Sequence, residues 1–194
     1  DGFNMIRTSL PKGRSTLNIY RNMNADNKRR VRIVKEVQPM MADRQGFLIV
    51  DAIHSDGQLM PLEEKKCKLE FIGDSITSGE GLAGAKGITE WNCAIFSTLG
   101  HYAVTTADRL DADYRIISQS GWGVCSSWDN DPGRVLPKYY EQVCGLLSGK
   151  TQLEAGAGDK NDFTSWQPDA VLVNLGTNDF SSGVTVERLR ESVS

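Results

Sequence analysis

The sequence has 194 residues, of which 39% are hydrophobic and 24% charged, and its formal net charge is −3. This size suits one domain, or a small domain joined to part of another, and the composition is ordinary for a globular protein. The weak negative charge gives no reason to expect nucleic acid or a membrane as a partner, and no apolar run approaches the roughly 18 residues of a membrane span.

Residues 1–66 have the pattern of β structure. The segments STLNIY (15–20) and RRVRIVKEV (29–37) alternate apolar and polar side chains, and GFLIVDAIHSDGQLM (46–60) joins a strand pattern to an Asp-Gly turn signal. No helical stripe of useful length occurs in this region. We therefore predict an antiparallel, half-buried β-sheet domain, present only in part, over residues 1–66.

From residue 67 onward, strand and helix patterns alternate. The predicted strands are KLEFIG (68–73), YRIISQ (114–119) and DAVLVNLG (169–176). The predicted helices lie in FSTLGHYAVTTADRLDA (96–112), the later part of PGRVLPKYYEQVCGLL (132–147) and TVERLRESVS (185–194). This order predicts an α/β domain over residues 67–194, with a parallel sheet between layers of helices.

The last predicted strand, residues 170–175, is uncharged on both faces, as a central strand should be. A three-strand sheet with this strand at its edge would leave apolar surface and backbone donors uncovered. We therefore expect further polypeptide to complete the sheet.

The four cysteines, Cys67, Cys93, Cys125 and Cys144, show no CxxC or histidine-associated metal spacing. We interpret them mainly as buried thiols, with one or two disulfides as the alternative. The acidic stretch WDNDPG (128–133) lacks the further acidic ligands of a calcium loop and is explained as a turn. No metal or organic cofactor is expected.

Two enzyme classes compete for the segment LEFIGDSITSGEG (69–81). Gly79, Gly81 and Gly84 spell the G-x-G-x-x-G dinucleotide fingerprint, but they begin well after the strand end and no acidic residue closes the next strand. The alternative is a nucleophilic Ser75 at the carboxyl end of a parallel strand. A serine that only caps a helix is the ordinary explanation of such a turn.

The ends of the other two strands favour the nucleophile. The second strand runs into SQSGWGV, and the third into LGTNDF, so that Ser75, Gly121 and Asn178 should meet at one edge of the sheet. Two backbone N–H groups and one side-chain amide are the donors that acyl transfer needs to stabilise an oxyanion.

These blocks, FIGDSITSGEG, SGWGV and LGTNDF, resemble those of the GDSL or SGNH hydrolases. The β-rich segment leading into KKCKLEFIGDSIT is more narrowly similar to carbohydrate esterase family 2, deacetylases with an N-terminal β jelly-roll domain. The resemblance implies a flavodoxin-like sheet of five strands. It also implies Ser75 as the nucleophile, and Ser75, Gly121 and Asn178 as the oxyanion hole.

The sequence departs from this family in one respect. The family's base is a histidine in a D-x-x-H-like block beyond the third block, whereas this sequence holds only His54 and His101. His101 falls in a predicted helix and is interpreted as a packed or capping residue. We expect the chain to be truncated or nicked before the histidine block and nearly inactive alone, with a complementing C-terminal fragment as its partner.

The predicted activity is a serine esterase that removes O-acetyl groups from carbohydrates, and secretion or a cell-surface location is expected from that substrate. Trp122 and Asp179 are the candidate substrate-binding residues; Trp91, Trp128 and Trp166 are weaker candidates, with core packing as the alternative. Two other functions remain open. One is a non-catalytic carbohydrate-binding or interaction module on the same framework, and the other is an SGNH lipase or acyl hydrolase.

Overall fold

The structure, a computed structural model, describes residues 11–18, 26–40 and 48–193. The chain divides into two compact units: Asp1–Arg32 with Ser55–Leu59, and Ile33–His54 with Met60–Ser194. The described residues of the first unit form no helix or strand. All elements and contacts below belong to the second unit.

The second unit alternates strands and short helices in the described part of the chain. The strands are β1 (Cys67–Gly73), β2 (Ala112–Ser118) and β3 (Ala170–Asn174). The helices are α1 (Ser75–Ser78), α2 (Tyr102–Arg109), α3 (Pro137–Tyr140), α4 (Lys150–Glu154), α5 (Thr177–Ser181) and α6 (Val186–Val193). A 3₁₀ turn (Cys93–Ile95) precedes α2.

The three strands form one parallel sheet in the order β2-β1-β3. Leu69 of β1 is in register with Tyr114 of β2 and with Ala170 of β3. The three strands predicted from residue 67 onward and the parallel α/β arrangement are confirmed. Because the strands are parallel, their carboxyl ends lie at the same edge, where α1, the loop after β2 and α5 begin.

One face of the sheet carries the hydrophobic core. Leu69 and Phe71 of β1 pack with Ala103 and Ala107 of α2, and the rings of Phe71 and Tyr102 meet edge to face with centroids 5.9 Å apart. The alternation of β1 sends its other side chains to the opposite face. Helix α2 therefore anchors β1 and β2 from one side.

On the opposite face, the long connection between β2 and β3 packs against β1 and β2. Glu70 of β1 is fully buried and accepts a 2.7 Å hydrogen bond from the Tyr140 hydroxyl. The ring of Tyr140 stacks on Phe163 at 5.1 Å, and the Arg115 guanidinium lies 4.8 Å from the Trp166 ring centre. Trp166 is thus half-buried and packs against Arg115 of β2.

The prediction of a strand over residues 29–37 is wrong, since the structure assigns no strand there. An alternating pattern becomes a strand only when another strand satisfies its backbone groups, and the described residues before β1 form no sheet. The partial β jelly-roll over residues 1–66, and the domain division at residue 66, stay predictions.

The helix predicted within residues 132–147 is reduced to the single turn of α3. The amide of Val143 donates to the Asp159 carbonyl at 2.9 Å, and the amide of Cys144 donates to the Ala157 carbonyl at 2.8 Å. These tertiary bonds replace the i→i−4 bonds that a continued helix requires.

Strand β3 lies at an edge of the described sheet, not at the central position that its apolar sequence predicted. All five of its residues are exposed, and Val173 is 64% exposed. The uncovered apolar edge that we expected from the sequence is therefore present in the described structure.

The cysteines carry free thiols: Cys125 is buried, Cys67 and Cys144 are partly buried, and Cys93 is exposed. The interpretation as a buried thiol thus holds for Cys125 and is wrong for Cys93. Within the described residues, no helix combines the length and apolar character needed to cross a membrane.

Candidate active site

A pocket of about 470 Å³ opens at the carboxyl edge of the sheet. Ser75, Gly121 and Asn178, which come from three different strand ends, all line it. The structure therefore brings together the three residues whose meeting the sequence predicted. Each of them follows a parallel strand, and this common edge is where α/β proteins place their sites.

Ser75 is the first residue of α1, directly after β1. Asp74 caps this helix, since its carboxylate accepts a 3.1 Å hydrogen bond from the amide of Ile76. The cap function therefore belongs to Asp74 and leaves the Ser75 hydroxyl free for another role. As the first helical residue, Ser75 also has a backbone N–H without an intrahelical acceptor.

Gly121 lies in the loop that follows β2, with a φ of 78° that favours glycine. A Cβ at this position would stand 2.5 Å from Cδ1 of Trp128, so the indole packs directly against the glycine. The Gly121 carbonyl accepts a 2.8 Å bond from the Trp128 amide. These contacts fix the backbone whose N–H is the predicted donor.

Asn178, in α5, is buried beside Asp74. Its Nδ2 donates to the Trp122 carbonyl at 3.0 Å and, at 3.4 Å, to Oδ2 of Asp74. Burial raises the pKa of the Asp74 carboxyl above its ordinary value, and the charges of Glu80 and Asp179 act in the same direction. The bond to Trp122 orients the side-chain amide of Asn178 at the pocket wall.

Asp179 is only 1% exposed, and its carboxylate holds the loop after β2. It accepts hydrogen bonds of 2.6–3.1 Å from the amides of Val124, Cys125 and Ser126. A Cβ on Gly123 would come within 2.2 Å of Oδ2 of Asp179, so the carboxylate needs a glycine there. The structure thus contradicts the prediction that Asp179 binds substrate: its oxygens are already occupied by the chain's own backbone.

Replacing Asp179 by alanine is expected to destabilise the fold by about 3 kcal/mol, because three amides in a buried loop lose their acceptor. Chemical denaturation of the variant measures this loss. Glu187→Ala, which removes an exposed carboxylate from the first turn of α6, is the matched control and should lose at most about 1 kcal/mol. An unchanged unfolding midpoint for Asp179→Ala would show that the carboxylate does not hold the loop.

Trp122 is buried at the pocket wall, where its ring meets Tyr139 at 5.1 Å. Trp128 and Trp91 were weaker candidates in the sequence analysis, but both line the pocket and both are more exposed than Trp122. Trp128 is 60% exposed and Trp91 is 40% exposed. Exposure of an indole depends on tertiary packing, so no sequence pattern could have ranked them.

Arg134 also lines the pocket and escaped the sequence analysis. Its Nε donates to Asp131 at 2.7 Å, and its Nη2 pairs with Asp129. The acidic stretch first compared with a calcium loop thus holds a guanidinium at the pocket. Among the described residues, no group of three or more His, Cys, Asp or Glu side chains could hold a metal ion.

The glycines of the G-x-G-x-x-G match serve a different purpose from nucleotide binding. Gly79 ends α1 in a left-handed conformation, and no helix begins at the glycines that follow. The dinucleotide interpretation, already disfavoured by the sequence, lacks the helix N-terminus that a pyrophosphate requires.

His54 and His101 are both described in the structure, and neither of them lines the pocket. His101 is buried and caps α2, where its Nδ1 accepts a 3.1 Å bond from the Ala103 amide. Burial lowers the pKa of the His101 imidazole. The interpretation of His101 as a capping residue is confirmed, and His54 is exposed.

The fold and the pocket together define a class of protein. A serine, a glycine amide and an asparagine amide share one pocket at the carboxyl edge of a parallel sheet, which is the arrangement expected of an SGNH-type serine hydrolase. No family model matches the sequence.

Comparison of this chain with known proteins in sequence and in structure narrows the class further. The chain is 30% identical, over 82% of its length, to an acetylxylan esterase / glucomannan deacetylase of Cellvibrio japonicus. Among solved structures, an acetyl xylan esterase from Butyrivibrio proteoclasticus is 52% identical over 66% of this chain and 34% of that one, with a TM-score of 0.63. A family 2 carbohydrate esterase from Clostridium thermocellum, in complex with cellohexaose, is 29% identical over 70% of this chain and 39% of that one, with a TM-score of 0.58.

These matches confirm the resemblance to carbohydrate esterase family 2: the curated relatives are esterases, and solved structures of family 2 carbohydrate esterases from Cellvibrio japonicus and Clostridium thermocellum are similar to this chain. The chain spans less than half the length of the curated relatives that it matches: 13%, 30% and 42%.

Proposed function

We propose that this chain carries the nucleophile and the oxyanion hole of a serine esterase that removes O-acetyl groups from carbohydrates. The observation that carries the proposal is the shared pocket of Ser75, Gly121 and Asn178. The names of two relatives, acetylxylan esterase and glucomannan deacetylase, support the same reaction class.

The reaction begins when Oγ of Ser75 attacks the acetyl carbonyl. The carbonyl oxygen becomes an oxyanion, which accepts hydrogen bonds from the amides of Ser75 and Gly121 and from Nδ2 of Asn178. A general base takes the serine proton and returns it to the sugar alcohol as that group leaves. Water then repeats the sequence on the acyl-enzyme and releases acetate. No step of this scheme calls for a metal or an organic cofactor.

Nδ2 of Asn178 can donate to the oxyanion with little loss of its existing hydrogen bonds. Its bond to Asp74 is long, at 3.4 Å, while its bond to the Trp122 carbonyl, at 3.0 Å, fixes the amide. A small shift of the whole amide group can therefore redirect the weakly bonded Nδ2 hydrogen from Asp74 to the oxyanion while the other hydrogen keeps its bond to Trp122. We infer that the oxyanion replaces Asp74 as acceptor in the transition state.

Two exposed indoles support a carbohydrate as the substrate. Trp91 and Trp128 line the same pocket as Ser75, and flat aromatic faces suit the apolar faces of pyranose rings. One family 2 relative was crystallised with cellohexaose. A polymeric substrate of this kind would be met outside the cell, so we propose a secreted or cell-surface location.

The proposed mechanism needs a base that neither His54 nor His101 supplies from its position. We propose that a histidine from polypeptide other than these 194 residues provides it, and we refer to the assembly that contains both as the complete enzyme. Further strands beside β3, giving the five-stranded flavodoxin-like sheet, would pair with its free edge, and the helices that connect them would cover its exposed apolar residues. A jelly-roll domain that includes residues 1–66 belongs to the same proposal.

A second candidate function is carbohydrate binding without turnover. The position of the two histidines favours it, because a serine without a base is a weak nucleophile. An SGNH lipase or other acyl hydrolase is less well supported, since these relatives are named for activity on carbohydrate esters.

Labelling with a fluorophosphonate separates these candidates. The complete enzyme is expected to react covalently at Ser75, and peptide mass spectrometry should find the adduct on that residue alone. The isolated chain should react far more slowly, because its serine lacks a base. Binding of cello- or xylo-oligosaccharides with no adduct in the complete enzyme would favour the binding module instead.

A further inference from the structure

Residues 36–40, which precede the sheet by some distance in the sequence, pack onto the loops at its carboxyl edge. Oε1 of Gln38 accepts two hydrogen bonds from Ser120, at 2.8 Å from the backbone N and at 3.0 Å from Oγ. Nε2 of Gln119 donates to the Pro39 carbonyl at 3.3 Å, and Oγ1 of Thr98 donates to the Glu36 carbonyl at 2.8 Å. The segment is therefore bound to two separate loops.

The contact with Ser120 matters because Ser120 directly precedes Gly121. On one side, the Gln119 amide donates to the Gly73 carbonyl at 3.2 Å, which ties the loop to β1. On the other side, the Gly121 carbonyl accepts from Trp128. Gln38 holds the residue between these two anchors, so the peptide that carries the Gly121 N–H is fixed from both directions.

The Gln38 side chain can perform this task only through its oxygen. Both groups of Ser120 that bond to Gln38 are hydrogen-bond donors, and the backbone N–H can only donate. The amide orientation is thereby determined, and Nε2 of Gln38 is left buried without a hydrogen-bond partner in the described structure. A buried donor without a partner is unfavourable by itself. The favourable contribution of Gln38 therefore comes from Oε1, which accepts the two hydrogen bonds from Ser120.

We propose that Gln38 is a positioning residue for the oxyanion hole, acting through Ser120 on the amide of Gly121. The inference rests on the proposed esterase function. It assigns part of the active site to residues 36–40, ahead of the predicted domain boundary at residue 66. Pro39 and Met40 of the same segment line the pocket, so the segment forms part of the pocket wall.

Gln38→Met tests the proposal, because methionine has a similar length and volume but offers only a weak acceptor. In the complete enzyme, kcat on an aryl acetate is expected to fall about tenfold, while KM changes less than twofold. Gln58→Met, an exposed glutamine-to-methionine change elsewhere, is the control and should leave both constants unchanged. A residue that serves folding alone would lower the unfolding temperature without this selective loss of kcat.

A second substitution and a second measurement make the outcome decisive. Ser120→Ala should add little to Gln38→Met, because the hydroxyl that it removes has already lost its acceptor in that variant. Hydrogen exchange at the Ser120 amide should quicken at least about tenfold in Gln38→Met, and this readout needs no catalysis. Unchanged exchange together with unchanged kcat overturns the proposal. If the wild-type complete enzyme neither hydrolyses aryl acetates nor reacts with fluorophosphonate, the proposed function is overturned instead. In that case, hydrogen exchange at the Ser120 amide still decides the role of Gln38.

Discussion

Replacing Ser75 by alanine is expected to lower kcat of the complete enzyme on aryl acetates by at least about 10⁴, because no acyl-enzyme can form. The fold should not suffer. Ser75 is partly exposed at the start of α1, and the helix cap is Asp74. Alanine is also tolerated better than serine inside a helix. Steady-state kinetics and a thermal melt of the same sample measure the two effects.

Ser78→Ala is the matched control for this experiment. Ser78 lies in the same short helix, but its hydroxyl donates to Ser118 at 3.0 Å and does not line the pocket. Its loss should therefore cost some stability and leave kcat within a few fold. If Ser75→Ala kept its rate while Ser78→Ala lost it, the nucleophile would have been assigned to the wrong serine.

The position of Ser75, Gly121 and Asn178 was predictable because a general rule fixes it. Parallel strands end at the same edge, so residues that immediately follow three such strands must meet wherever the strands are neighbours. The sheet order β2-β1-β3 satisfies that condition. Strand patterns are also the strongest local signal in this sequence, since the apolar runs are short and bounded by glycine or polar residues.

The role of Asp179 was not predictable in the same way. Its neighbour Asn178 faces the pocket, and a polar side chain beside a site residue suggests a second contact with substrate. In the structure, the carboxylate turns instead to the amides of residues 124–126, which lie more than 50 positions earlier in the chain. Such a partner depends on the path of a loop, and loop paths leave no periodic signal.

The contribution of residues 36–40 was hidden for a related reason. An alternating pattern over residues 29–37 indicated a strand, and so assigned the segment to a separate β domain. In the structure, Gln38 instead satisfies a backbone donor beside the pocket. The same side-chain alternation fits a strand and an extended segment, and only the hydrogen-bond partner distinguishes them.

The side-chain donor of the proposed oxyanion hole belongs to a pair of buried polar side chains. Asn178 and Asp74 face each other at 3.4 Å, and both are almost completely removed from water. An electrostatic interaction is stronger in such surroundings than in water, so a donor held there can stabilise an oxyanion effectively. Its removal should therefore affect the transition state much more than the bound substrate.

Asn178→Ala is expected to lower kcat of the complete enzyme by about 10²–10³, with a much smaller change in KM. Asn174→Ala, which removes an exposed amide at the end of β3, is the control and should retain the wild-type rate. Asn178→Asp keeps the shape of the side chain but should lose more than the alanine variant at neutral pH. Its carboxylate cannot donate, and its charge would oppose both the oxyanion and Asp74. Equal rates for wild type and Asn178→Asp would show that Asn178 fills space at the pocket wall and donates nothing to the reaction.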